Sequence, residues 1–220
     1  VYKRQEIARG IGMISPKAGV AVGGQVFFMD DGAFYRATGN IERINCTVLD
    51  HIFSNINKSQ RFKIFAGHNQ THNEVIWFYP SASSNEIDRY VTYNYAEKVW
   101  SVGTTADNFT RTAWNQAPLL DFPLATGKLD NTNNNYIYNH ETGNTADGTA
   151  FNAYIESADI DLDPDGESFM FVKKVIPDIE FLVSSNSNDT VNLTLKLRRY
   201  PAETRSTLST ISLTPSTQFT

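Results

Sequence analysis

The chain has 220 residues, 40% of them hydrophobic, and a formal net charge of -5. That length supports one large β domain or two modest ones with a core that needs no disulfide, and a lone cysteine, Cys46, can form none; it reads as a small buried hydrophobe. The acidic balance excludes a protein that gains its affinity by neutralising phosphates, and the longest apolar runs, such as Val75-Ile76-Trp77-Phe78-Tyr79, are far shorter than the roughly 20 residues of a membrane-spanning helix.

The N-terminus carries no apolar stretch of the signal-peptide kind and opens on Val1, so the chain reads as a fragment. Val20 to Val22, Val26 to Met29 and Ala33 to Ala37 read as three strands, joined by turns at Gly23-Gly24 and Asp30-Asp31-Gly32. A short helix is predicted after Asp50, a good N-cap, with Ile52, Phe53 and Ile56 on one side. Lys63 to Gly67 and Glu74 to Tyr79 form the next hairpin around Gln70 to Asn73, and Pro80 ends it by removing a backbone donor.

Three aromatic strands then align as a loose repeat: Phe34-Tyr35-Arg36, Tyr90 to Tyr95 and Tyr136 to Asn139. They lie roughly 45 to 60 residues apart, close to one four-stranded propeller blade, and each sits between turns. The clearest blade runs from Glu74 to Gly103, with Trp100 opening its fourth strand. After Asp165 the strands lengthen and lose their aromatic punctuation: Phe169 to Ile176, Ile179 to Val183, Val191 to Arg198 and Leu208 to Leu213. Val191, Leu193, Leu195 and Leu197 alternate with polar residues, which predicts one buried and one wet face. The fold expected is therefore all-β, with propeller-like blades of antiparallel strands over residues 1–165 and a β-sandwich-like segment over 166–220, the former part of a larger propeller and the latter incomplete.

Reactive centres are scarce. Among His51, His68, His72 and His140 none has metal-ligand spacing, and His68 and His72 read as surface turn residues. No Gly-x-Ser-x-Gly elbow or phosphate-cradling loop occurs. A glycosidase would need a carboxylate pair; Asp88, Glu97, Glu141 and Glu156 are candidates of a kind any strand-rich protein offers, and there is no Ser-x-Asp-x-Gly-x-Thr-Trp box. The sharpest motif places Asp161, Asp163 and Asp165 before Gly166, the first half of a calcium loop. Val172 at its twelfth position, Pro164 and the strand-like flanks favour a solvated acidic turn instead. Six Asn-x-Ser/Thr sequons, at Asn45, Asn57, Asn69, Asn108, Asn188 and Asn192, are what chance yields in so Asn- and Thr-rich a chain. Phe34, Tyr35, Trp77, Tyr79, Tyr90, Tyr93, Trp100, Trp114, Tyr136 and Tyr138 are expected to pack between sheets rather than to form a sugar-stacking platform. No catalytic residue, metal or cofactor is predicted.

Several segments resemble virion proteins of short-tailed bacteriophages, the tail hub, nozzle or DNA-stabilisation proteins. They are Ile7 to Gly19, Asp31 to Arg36, Phe65-Ala-Gly-His-Asn69, Asn73 to Ser81, Asp88 to Tyr95, Asn152 to Ser157 and Phe169 to Asp178. The resemblance implies a non-enzymatic β-propeller protein of the virion tail. It would assemble as a homo-hexameric ring that extends the DNA channel, contact portal-side adaptor proteins and tail fibres, and retain and then release the genome. A lumen carrying the net negative charge would let DNA slide without sticking. The alternative is a carbohydrate- or receptor-binding propeller domain at the tail tip; an enzyme attacking surface polysaccharide is a third reading.

Overall fold

In a computed structural model of the chain, the described residues are 6–105, 109–116, 119–129, 135–143, 145–146, 149–150, 153–160, 169–179, 181, 190–200 and 202–215. The chain is all-β and divides into two units, Val1–Asn152 and Ala153–Thr220.

The first unit is a succession of antiparallel meanders. Sheet one contains β1 (Gly19–Val22), β2 (Gln25–Met29), β3 (Phe34–Ala37) and β4 (Ile41–Ile44), paired in that order. Gly23 and Gly24, at φ of 55° and 80°, make the β1–β2 turn that a side-chain-bearing residue would resist. A connection with helix α1 (Leu49–Phe53) and a 3-10 stretch over Lys58–Lys63 leads to sheet two. That sheet contains β5 (Phe65–Asn69), β6 (Glu74–Tyr79), β7 (Arg89–Asn94) and β8 (Val99–Thr104). Sheet three orders β9 (Phe109–Asn115), β10 (Leu124–Leu129) and β11 (Asn135–Asn139) as a further meander, and β12 (Thr145–Ala146) pairs with β13 (Thr149–Ala150).

Two local expectations shift. The helix begins one residue before Asp50: Val48 is its N-cap, without a side-chain cap, and Asp50 sits in the first turn, where its charge favours the helix N-terminus. Lys63 closes the 3-10 stretch and does not open the strand, because Asn57 has already nucleated that turn by accepting the Ser59 N–H at 3.1 Å.

The first strands of the three meanders begin at residues 19, 65 and 109, spaced 46 and 44 residues apart, and they run beside one another. Lys17, just before β1, bridges Phe65 in parallel, and the Ala66 N–H donates to the Lys17 carbonyl at 2.8 Å. The aromatic segments aligned from the sequence are the third strand of each meander, β3, β7 and β11.

Sheet two has two unlike faces, fixed by its register. The face carrying Val75, Trp77, Tyr79, Val91 and Tyr93 packs on sheet one and α1, with Phe27, Met29, Phe34 and Ile52 buried against it. Aromatic rings interlock there: Phe34 lies 4.8 Å from Trp77 and 4.7 Å from Trp100, and Trp100 lies 4.6 Å from Tyr93. Each such ring removes roughly 150 to 250 Å² from water, so this junction dominates the apolar stabilisation of the unit. The other face, with Phe65, Ile76, Phe78 and Ile87 buried, meets Trp114 of sheet three.

Three indole N–H groups stitch these junctions. Trp77 Nε1 donates to the Ala18 carbonyl at 3.1 Å, Trp100 Nε1 to Asn45 at 2.8 Å and Trp114 Nε1 to His68 at 2.9 Å. Buried indoles need such partners, and each bond fixes the rotation of one sheet on the next.

In the second unit β14 (Val191–Leu197) and β15 (Ser206–Leu213) form a hairpin with an irregularity between Leu195 and Lys196. Leu193 and Leu195 are half-buried, as the alternation predicts, while Val191 and Leu197 are exposed. Residues Phe169 to Ile176 correct the expectation of a strand: among the described residues they pair with no neighbour, and Phe169 and Phe171 are more than four-fifths exposed. Period-two patterning supplies a face but not the partner strand that a ladder requires. The Ile179 to Val183 expectation falls largely outside the described residues, and among those described the second unit has only the two-stranded β14–β15 sheet. Residues 153–160 make ion pairs with the hairpin. Glu156 pairs with Lys196 at 3.0 Å and Arg205 at 2.9 Å, while Asp159 pairs with Arg198 and Arg205. Among the described residues, no helix is long and apolar enough to cross a membrane.

Candidate functional site

A cleft of about 570 Å³ lies between sheets two and three. Alternation along the strands puts its residues on one side of sheet two. Asn69 stands opposite Glu74, Glu74 opposite Asn94, Ile76 opposite Thr92, and Thr92 opposite Ser101, so this face grades from apolar at Phe65 and Phe78 to polar at Glu74 and Thr92. The facing wall comes from β9 and from the segment that leaves β11, with Arg111, Trp114, Tyr138, His140 and Glu141.

Gly67 lets the two walls meet. A Cβ there would stand 2.5 Å from Trp114 Cδ1 and 2.6 Å from Cγ, so only a glycine on β5 allows the indole to lie across the strand and reach the His68 carbonyl. Trp114 then backs the His140 ring at 4.9 Å.

The electrostatics follow from burial. His140 accepts a hydrogen bond from Arg111 Nε at 3.0 Å, and burial, reinforced by the Arg111 charge, lowers its pKa to about 4. It is therefore a neutral acceptor at physiological pH. The Arg111 guanidinium also lies 4.9 Å from the centre of the Tyr138 ring, a cation–π contact, and burial lowers its own pKa. Burial raises the Glu74 carboxyl above the usual carboxylate range, with neighbouring Glu141 adding to the rise and His72 opposing it. His72 Nε2 lies 3.2 Å from Glu141 Oε2 at the rim.

One buried amide stands out. Asn69 is 1% exposed, and neither its Oδ1 nor its Nδ2 finds a partner among the described residues, although it sits on the cleft-facing side directly across from Glu74. Unpaired amides in such positions are costly, and ordered water or a ligand normally satisfies them. At 1% exposure the Asn69 sequon cannot carry a glycan in the folded chain.

The residues singled out from the sequence distribute unevenly. Phe34, Trp77, Tyr79 and Tyr93 are buried in the junction of sheets one and two, with Trp100 packed against them. Tyr35 is partly buried and stacks on Phe28 at 5.5 Å, and Tyr90, Trp114 and Tyr138 line the cleft. Tyr136 is 43% exposed, because β11 is the edge strand of its described sheet and offers that ring no covering layer. His68 lies within β5 and not in a turn, half-buried and 3.2 Å from the Tyr95 hydroxyl, while His72 does occupy the turn.

Of the four carboxylates weighed as a catalytic pair, only Glu141 lines the cleft, and its companion there is Glu74. Asp88 is engaged structurally, accepting from the Ser81 N–H and hydroxyl, each at 2.7 Å, and so clamps the β6–β7 loop. Glu97 sits in the β7–β8 turn, which Asn94 closes by accepting the Ala96 and Glu97 N–H groups. Glu156 belongs to the ion network of the second unit. Asp161, Asp163 and Asp165 lie outside the described residues; among those described, no three His, Cys, Asp or Glu side chains are grouped to hold a metal.

No protein-family model matches the chain, and no curated protein matches it in sequence.

Proposed function

We propose that the chain is a non-enzymatic structural component of a bacteriophage tail, a hub or nozzle protein that forms a homo-hexameric ring and extends the DNA channel. The observation that supports this most is the run of antiparallel meanders whose first strands lie side by side at a spacing of 46 and 44 residues, as blades do around a propeller axis. Rigid blades that pack through aromatic junctions suit a part that must hold its shape under the pressure of packaged DNA. The net charge of -5 suits a wall along which DNA passes without capture. In this reading the ring sits in the virion tail, meets adaptor or portal proteins on one side and fibres on the other, and uses neither metal nor cofactor.

Electron microscopy of purified virions tests the proposal. Antibody label or assigned density in the tail, with sixfold symmetry, is the expected result. Density for this chain outside the tail, or a protein missing from the virion, would refute it. Lysine in place of lumen-facing carboxylates in the assembled ring should slow genome ejection; unchanged ejection kinetics would defeat the charge argument.

A further inference from the structure

We propose that the cleft between sheets two and three is a binding site for a short neutral oligosaccharide. This goes beyond the ring role and stands or falls independently of it. The cleft, at about 570 Å³, falls within the range of small-molecule sites and combines the two elements that sugar recognition needs. Trp114 and Tyr90 supply ring surface for the apolar C–H face of a pyranose, while the Tyr138 ring is covered by the Arg111 guanidinium. Polar groups line the cleft as well: the Glu74 and Glu141 carboxylates as acceptors, His140 held as a neutral ring, the Thr92–Ser101 hydroxyl pair, and Thr142.

The Asn69 amide, 1% exposed and across from Glu74, lies on the same side of sheet two but behind the residues that line the cleft. Other ligand classes fit worse. Two carboxylates against one guanidinium disfavour phosphates and other anions, and no three-carboxylate or histidine grouping for a divalent cation occurs among the described residues. A wholly apolar ligand would strand the hydroxyls and carboxylates.

The test uses the full chain with maltotriose, cellotriose, chitotriose and mannotriose as probes, followed by saturation-transfer NMR and calorimetry, and then by an array of longer neutral glycans. At least one neutral glycan should bind and perturb the emission of Trp114. Glu141→Gln, which keeps shape and removes an acceptor charge, should weaken that glycan about tenfold, the loss of one charge-assisted hydrogen bond. Ser101→Trp, which puts a bulky ring on the cleft-lining face opposite Thr92, should abolish binding, whereas Glu42→Gln on β4 of sheet one should leave it intact. Melting temperatures close to that of the parent chain establish that the variants fold. No binding by any neutral glycan, or binding that survives both Glu141→Gln and Ser101→Trp, would overturn the proposal. Preference for acidic glycans alone would do so as well.

Discussion

Replacing Gly67 with alanine tests how sheets two and three are joined. The added methyl would lie 2.5 Å from Trp114 Cδ1, where ordinary contact begins near 3.4 Å, so the indole has to withdraw by about 1 Å. That movement strains or breaks the 2.9 Å bond from Trp114 Nε1 to the His68 carbonyl, worth about 1 kcal/mol. Overpacking adds about 1 to 3 kcal/mol. Against these stands the gain from removing a glycine from a strand, about 0.5 to 1 kcal/mol. The net expectation is a loss of about 1 to 3 kcal/mol, or roughly 3 to 10 °C in Tm for a unit of this size. Urea titration followed by far-UV circular dichroism and by tryptophan emission measures it. In a Trp114→Leu background the same alanine should cost much less, because nothing rigid then faces it, and the difference is the coupling of the pair. An unchanged or raised Tm for Gly67→Ala, or an equal cost in both backgrounds, would refute this account of the junction.

Trp77→Ala empties the centre of the junction between sheets one and two, and it should cost about 3 to 5 kcal/mol by equilibrium unfolding. Acidification should weaken the fold. His140 is lowered to about 4 in the folded chain against an ordinary value of 6.5, so the unfolded chain takes up the proton first. Its contribution is fully present above about pH 6.5 and is lost between there and about pH 4. After discounting for the ring's partial exposure, it amounts to about 2 kcal/mol. Glu74, raised by burial, offsets part of this at the acid end, and His140→Gln should flatten the slope of stability against pH across the window. Burial raises the Cys46 thiol pKa, so at pH 8 it should react with a disulfide reagent more slowly than a free thiol does, and at the free-thiol rate once the chain is denatured. Calcium should leave Tm in place, because Asp161, Asp163 and Asp165 read as a solvated turn; a rise with concentration would overturn that reading.

Much of the fold was legible because local rules carry it. Gly23-Gly24 announces a hairpin, Pro80 ends a strand, and the aromatic segments at Phe34, Tyr90 and Tyr136 recur because each is the third strand of a meander. The cleft was not legible, because it depends on contacts between distant segments. Glu74 reads as the start of a strand and Glu141 as a turn residue until sheet three is laid on sheet two, and Gly67 reads as ordinary until Trp114 is placed over it. Asp88 looked as available as Glu141, yet two bonds to Ser81 commit it to a loop. The pattern at Phe169 to Ile176 carries strand propensity without the neighbour that would realise it.

The three indoles that stitch the sheets are also the chain's only tryptophans. Nature has thereby installed an optical gauge of docking: indole emission from this protein reports whether the meanders are seated on one another, and the unit beyond Asn152, which carries Tyr154 and Tyr200 but no tryptophan, adds nothing to that indole signal. Rupture of the seams alone, with every strand ladder intact, would change its colour before its circular dichroism.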